Sequence, residues 1–346
     1  MACRFLDSFD NYDTTHALEK WTGIGPGASV SHVISTTSQR TGRACGQFTS
    51  GADSFKTVDS LTTWIIGGAF LWTGYGGGVR IGNADPNSPQ VYWQIQNDGT
   101  IVVLNGAGGT LGTTTATASI SLNNYYYIEM KATIGASGSV VIRINGQTVL
   151  NTTGRTNNGG TGTVGDCIFV LGPGGGGGVF MLVDDFYVFD TSGGHNNDFA
   201  GDSTISVIVP VSDSGTIQWA TSSGTAHWSL VDEVPPDDDT TYVQSTMTGT
   251  STTGPTDLYN FQTVASTLSI IAVQSNMFAR KTDAGDRAIS LVTHNSGVST
   301  NADPTGRYLN LTYLDYLNQF DTDPVSGGTW TPAIVNATEW GVEVVV

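Results

Sequence analysis

Short runs of β-branched and aromatic residues, each bounded by Gly, Asn, Asp or Ser, recur along this chain, and helical periodicity is almost absent. FLDSFDNY (5–12), WIIGGAFLW (64–72), QVYWQIQN (90–97), TIVVLNG (100–106), YYYIEMKAT (125–133), SVVIRING (139–146), DCIFVLG (166–172) and VFMLVDDFYVFD (179–190) each read as a strand. Two turns fix some of the pairing. QIQNDGTIVVL carries Asp98-Gly99 and VVIRINGQTVL carries Asn145-Gly146, dipeptides that readily take the positive φ angles of tight hairpin turns. With no helices between them, such strands bury their apolar faces by stacking antiparallel sheets, so the first ~190 residues are expected to form a two-sheet sandwich.

After Asp190 the sequence changes to TSGGHNNDFAGDST, polar and with little to bury. The expected division is a first sandwich over 1–192, a linker over 193–203 and a second, jelly-roll-like sandwich over 204–346. The second set of strands comprises TISVIVPV, TIQWAT, HWSLVDE, DLYNFQTV, STLSIIAVQSNMFARK, AISLVTHNSG, RYLNLTYL and EWGVEVVV. KTDAGDR, between two long alternating runs, predicts one more hairpin there. TPAIVNATEW predicts a short helix opened by Thr331 as cap and Pro332 in the first turn.

Composition narrows the function. Thirteen Lys+Arg against thirty Asp+Glu leave a net charge of −17, which repels a phosphate backbone and argues against nucleic-acid binding. No run approaches the ~20 apolar residues of a membrane helix. The start MACRFLDSFDNYD lacks a basic and then apolar leader, so no Sec signal and no membrane insertion are expected. Cys3, Cys45 and Cys167 are odd in number and far apart, and read as reduced or buried thiols. The N-x-[ST] triplets at Asn151, Asn310 and Asn336 are taken as chance.

The order of several motifs resembles a known family. FLDSFDNYDTTHALEKW, TGRACGQF, YYYIEMKATIGASGSVVIRINGQTVLNTTG and VDDFYVFDTSG resemble the concanavalin A-like (laminin G-like) sandwiches of tailed-bacteriophage virion proteins. NNDFAGDSTISVIVPVSDSGTIQWATSSGTAHWSLVDEVPPDDDTTYVQS, IIAVQSNMFARKTDAGDRAISLV and DPVSGGTWTPAIVNATEWGVEVV look like the module that follows them. The resemblance implies a non-enzymatic structural protein displayed on the virion, made in the bacterial host cytoplasm, of the tail fibre, tail appendage or head-decoration type. It implies other virion proteins as partners, a homo-oligomer with a trimer favoured, and host surface polysaccharide as a ligand of an adhesin. The alternatives are a capsid decoration or cement protein, and a secreted glycan-binding or glycan-cleaving protein.

Catalytic signatures are few. A glycoside hydrolase needs two carboxylates on one face, which concanavalin A-like enzymes carry as Glu-x-Asp-x-(x)-Glu on one strand. Here Glu129 stands alone, and Glu339 and Glu343 lie four apart without an intervening Asp. His16, His32, His195, His227 and His294 are scattered, and no G-x-S-x-G elbow is present. GPGGGGGV (172–179) lacks the Lys-Ser/Thr ending of a phosphate loop and reads as a turn. The acidic tract with Asp232, Glu233 and Asp237 to Asp239 reads as a solvated loop, with calcium at a subunit interface as its other reading. No catalytic residue, metal or cofactor is expected.

Sugar binding is the small-ligand activity the residues suggest, because aromatic faces stack on sugar rings and amides bond hydroxyls. In QVYWQIQN, Val91, Trp93 and Ile95 share one face while Tyr92, Gln94 and Gln96 share the other. Trp72 and Tyr75, beside a glycine turn, complete the candidate glycan set Trp72, Tyr75, Tyr92 and Gln94. Packing in a core or interface is the competing reading. In a regular strand Asp184 and Asp185 point to opposite faces, so they read as scaffold, with FLDSFD as the neighbouring strand.

Overall fold

The computed structural model describes residues 2–25, 28–83, 89–159, 162, 165–174, 178–245, 254–303 and 305–345. Part of the 172–179 glycine run, residues 175–177, lies outside the described residues. The chain is all-β and builds antiparallel sandwiches in two compact units, Met1–Ser206 and Val207–Val346. Among the described residues, no helix is long and apolar enough to cross a membrane.

The first unit stacks an eight-stranded sheet on a seven-stranded one. The larger sheet runs Gln147–Gly154, Gly138–Ile144, Tyr126–Thr133, Thr63–Trp72, Phe180–Phe189, Cys45–Thr49 and Val33–Ser35, with Cys3–Asp7 paired to Phe180–Phe189. The smaller runs Thr110–Thr113, Ile101–Asn105, Pro89–Ile95, Gly78–Gly82, Gly165–Leu171, Asp53–Leu61 and Gly23–Ile24. Both hairpin dipeptides sit at turns, with different geometry. Asn145 and Gly146 both have positive φ, 49° and 79°, whereas at the other turn only Gly99 does, at 80°.

Between the sheets lies an aromatic core. Trp93 meets Phe70 edge-on at 5.3 Å and Trp72 at 6.2 Å, all three essentially buried. Beside it is a buried polar network: Asp7 accepts from Lys20 Nζ at 2.9 Å, Trp21 Nε1 at 2.8 Å and the Tyr12 hydroxyl at 2.8 Å. His32 Nδ1 lies 2.8 Å from Ser54 Oγ. Burial pushes the His32 pKa down to about 4, with Lys20 adding to the effect and Asp7 opposing it. Cys3, Cys45 and Cys167 are free and buried.

Two expectations fail in this unit. Strand alternation does not separate Asp184 from Asp185, because the register slips between Asp184 and Tyr187 and Asp185 takes φ 51°. Both carboxylates therefore grip one segment. Asp184 accepts from the backbone of Arg40 at 2.9 Å and Thr41 at 3.1 Å, and Asp185 accepts from Thr41 Oγ1 and Arg40 Nη1, each at 3.0 Å. Burial and then the charge of Asp185 raise the Asp184 pKa to about 7. With no solvent exposure and this many donors, the pair is scaffold.

The stretch 193–203 is not a free linker, since it belongs to the first unit and docks on its larger sheet. Glu129 Oε1 accepts from Gly201 N at 2.8 Å, the Tyr187 hydroxyl from Ala200 N at 3.2 Å, and Asp185 from Ile205 N at 2.7 Å. Arg143 stacks 4.1 Å from the Phe199 ring centroid. A polar, glycine-rich composition hides this docking because the bonds come from backbone N–H groups.

The second unit holds a six-stranded sheet, Pro210–Ile217, Thr256–Phe261, Glu339–Val344, Ala288–Asn295 and Val298–Asn301, with Arg307–Tyr308 beside Ala288–Asn295. Two strand pairs complete it, Val273–Ala279 with Leu314–Phe320 and Ala220–Thr221 with Val243–Gln244. Leu291, Phe320, Trp330, Val335 and Trp340 form the core. KTDAGDR does not make a hairpin: Val273–Ala279 and Ala288–Asn295 belong to different sheets. Seven residues exceed a tight turn, and each strand finds its partner further along the chain. The short helix forms at Pro332–Ala337, with Thr331 Oγ1 accepting from Ile334 N.

Candidate functional site

Alternation and register define the outer face of the seven-stranded sheet. Arg80 pairs with Tyr92 on one side and with Phe169 on the other; Phe169 pairs in turn with Phe55, and Tyr92 with Leu104. Gly78 pairs with Gln94. These residues share a face, because Val79, Ile81, Val91 and Trp93, one step out of phase, are buried in the core. Gly78 and Gly82 flank Arg80 on its own strand, so Arg80 is the one side chain that strand presents on this face.

Arg80 is half-buried, and its guanidinium lies 4.5 Å from the Phe169 ring centroid. Its Nε and Nη2 are shielded from solvent and have no hydrogen-bond partner among the described residues. Burial lowers the Arg80 pKa, while Asp53 and Tyr92 act in the opposite direction. Asp53 in turn is raised by its own burial, against a backbone bond from Gly172 and the charge of Arg80. Nη1 is not among the shielded atoms, so the guanidinium keeps a solvent-facing side that can pair with a carboxylate or similar anion, with Tyr92 and Gln94 on the neighbouring strand for sugar hydroxyls.

The four residues expected from sequence divide. Tyr92 is half-buried and Gln94 exposed on this face, and Tyr75 is half-buried in the turn leading to Gly78. Trp72 is a correction: it has no exposed surface and stacks on Phe70 at 5.7 Å, so no sugar can reach its ring. The phase of WIIGGAFLW puts Trp72 with Trp64, Ile66 and Phe70 on the core side. Arg80, at the centre of the face, went unread in the sequence. Its signal was GVRIG, a lone cation between two glycines on one strand face.

A second polar surface lies within the second unit, on the outer side of its six-stranded sheet. In this open cleft of about 760 Å³, His294 and Glu343 meet Gln218, Ser299, Leu258 and Val292. His294 stands directly between Glu339 and Ser299 in the register, and its Nδ1 lies 2.7 Å from Glu339 Oε2. The scattered histidines of the sequence give no hint of this pairing across three strands. Among the described residues, no group of three or more His, Cys, Asp or Glu side chains could hold a metal ion.

No family model and no curated protein matches the sequence. Solved structures similar to the chain include alginate lyase Aly36B, 16% identical over 55% of this chain and 98% of that one, with a TM-score of 0.39. They also include the endo-β-1,4-glucuronan lyase of the fungus Trichoderma reesei, 13% identical over 54% and 94%, TM-score 0.38. A third is the cellulose induced protein Cip1, 12% identical over 53% and 96%, TM-score 0.40. The likeness is one of fold. These comparisons correct the expectation of a non-enzymatic virion protein: the similar structures include proteins named as polysaccharide lyases.

Proposed function

We propose that this protein is a glycan-binding protein whose first unit engages an acidic polysaccharide on the outer face of the seven-stranded sheet. The observation that carries this reading is Arg80, a half-buried cation folded onto Phe169 on the outer face of the sheet. A sugar carboxylate pairs with the solvent-facing side of its guanidinium, and Tyr92 and Gln94 bond ring hydroxyls from the neighbouring strand. The net charge of −17 repels a polyanion at long range, but screening confines that effect to ~8 Å at physiological ionic strength, so the local cation decides binding.

Eliminative cleavage is the second reading, favoured by Tyr92 standing directly opposite Arg80 in the register. Neutralising a uronate carboxylate at Arg80 acidifies the proton on the adjacent carbon. Tyr92, as its phenolate, takes that proton, the C–H electron pair forms the C=C bond, the glycosidic C–O bond breaks, and the departing oxygen takes the proton back from the Tyr92 hydroxyl.

Calorimetry with uronic-acid oligosaccharides and uncharged oligosaccharides of equal length tests the binding. Only the acidic set should bind, and Arg80→Ala should weaken it by ~10–100-fold, the value of one or two charged hydrogen bonds. Equal binding of both sets, or an unchanged Arg80→Ala, would overturn the proposal. Release of ultraviolet-absorbing unsaturated ends by the wild type but not by Tyr92→Phe tests the cleavage.

A further inference from the structure

The cleft of the second unit differs in charge from the face just described. The strands that form it, Pro210–Ile217, Thr256–Phe261, Ala288–Asn295, Val298–Asn301 and Glu339–Val344, carry no Lys or Arg. They carry Glu339 and Glu343 on the cleft side, in phase with Gly341, Val292 and His294. Its volume of about 760 Å³ lies within the ~300–1,000 Å³ typical of ligand sites.

The carboxylate lining the cleft is Glu343, and Thr216, Gln218, Thr256, His294 and Ser299 add side chains able to bond hydroxyls. His294 Nδ1 lies 2.7 Å from Glu339 Oε2, which sets the orientation of the ring. The Nε2 of that ring has no partner among the described residues. Glu343 Oε2 accepts from Asn301 Nδ2 at 3.1 Å, which holds the carboxylate in place and leaves Oε1 for a ligand. Leu258 and Val292 supply an apolar floor.

One wall of the cleft is rigid. Asp257, fully buried, accepts from Gln218 N at 2.6 Å, Trp219 N at 2.8 Å, His227 Nδ1 at 2.7 Å and the Tyr259 hydroxyl at 3.1 Å. Gln218 Oε1 accepts from Thr256 N at 2.8 Å, and Trp219 Nε1 donates to Pro255 O at 2.9 Å. The residues that border the cleft are thus tied to the sheet before any ligand arrives, which lowers the entropy cost of binding.

We propose that this cleft binds a cationic, hydroxyl-bearing ligand, of which an amine-bearing sugar is the simplest, with Glu343 as its counter-ion and His294, Gln218 and Ser299 bonding its hydroxyls. An ammonium group is donor-only and pairs with the Glu343 carboxylate, and a carboxylated sugar meets repulsion there. The site is separate from the acid-binding face and does not depend on it.

The experiment titrates the full-length chain with glucosamine oligosaccharides, with their N-acetylated forms, and with uronic-acid oligosaccharides of equal length. The amine-bearing oligomers should bind at least ~10-fold more tightly than the N-acetylated ones, the step expected for one charged hydrogen bond. Glu343→Gln, which keeps the shape and the bond from Asn301, should remove most of that preference. His294→Gln should weaken binding too and serves as the second variant if Glu343→Gln fails to fold. Asp59→Asn, at an exposed carboxylate in the first unit, should change nothing. Equal binding of amine and N-acetyl forms, or an equal loss in Asp59→Asn and Glu343→Gln, would overturn the proposal, the latter by showing general attraction to an acidic protein.

Discussion

In the first unit the strand Thr63–Trp72 buries eight of its ten residues, whereas every residue of Val273–Ala279 in the second unit is only half-buried. The first unit covers the central strands of its larger sheet on both faces, one with the aromatic core and the other with the segment ending at Ser206. Among the described residues, the second unit has a core cluster of Leu291, Phe320, Trp330, Val335 and Trp340, with hydrogen-bonded acidic hubs such as Asp257 and Asp213 holding its loops. In the first unit the partner sheet presents a half-buried cation, Arg80, on its outer face. The second unit leaves an acidic cleft open on its own sheet. On the two proposals above, the opposite local charges select two different ligands.

The contrast in cores gives the largest expected effects. Trp93→Ala, at the centre of the first core, should destabilise that unit by ~3–5 kcal/mol in denaturant unfolding. Trp340→Ala should fall at the lower end of the same range, because Trp340 retains some exposure. Equal losses would mean that the second core is as tight as the first. Asp257→Ala strips four hydrogen bonds from a buried carboxylate and should cost ~3 kcal/mol or more, with the wall of the cleft lost before the rest of the unit. Hydrogen exchange at Gln218 and Trp219 reads this directly.

Smaller, pH-linked effects should separate the buried groups of the first unit. His32 has a folded pKa of about 4, below its usual value near 6.5, so the folded state refuses a proton that the unfolded state accepts. Its contribution is complete above ~6.5 and is lost as the pH falls toward about 4. Asp184 acts in the other direction: with a folded pKa of about 7, its contribution is complete below ~4 and is lost as the pH rises toward 7. The two slopes oppose each other between these values. Asp184→Asn should therefore expose a stability that rises with pH across that window, and His32→Gln one that falls, each followed by urea midpoints. A slope of the same sign in both variants would refute the assignment.

Much of the architecture was legible in the sequence, and the reasons are local. Alternation in QVYWQI placed Val91, Trp93 and Ile95 inward and Tyr92 and Gln94 outward, as they stand. Asn145-Gly146 gave its hairpin because both residues take positive φ without help from elsewhere. Trp72 was misread from its place at a strand end beside a glycine turn, although its phase with Trp64, Ile66 and Phe70 turns it into the core. Asp184 and Asp185 were misread because a bulge breaks the two-residue period on which the argument rested. Arg80 beside Tyr92, and His294 between Glu339 and Ser299, arise from register between distant strands, which no local pattern encodes. The chemistry of the chain was thus hidden in the pairings, while its fold lay in the periods.

The central claim is that the two units carry ligand sites of opposite charge, and one crossed titration tests it most directly. Uronic-acid and amine-bearing oligosaccharides would be titrated into the wild type, Arg80→Ala and Glu343→Gln. Arg80→Ala should lose only the acidic ligand and Glu343→Gln only the amine-bearing one, each by about 10-fold or more. Loss of both ligands in either variant, or of neither in both, would contradict the account.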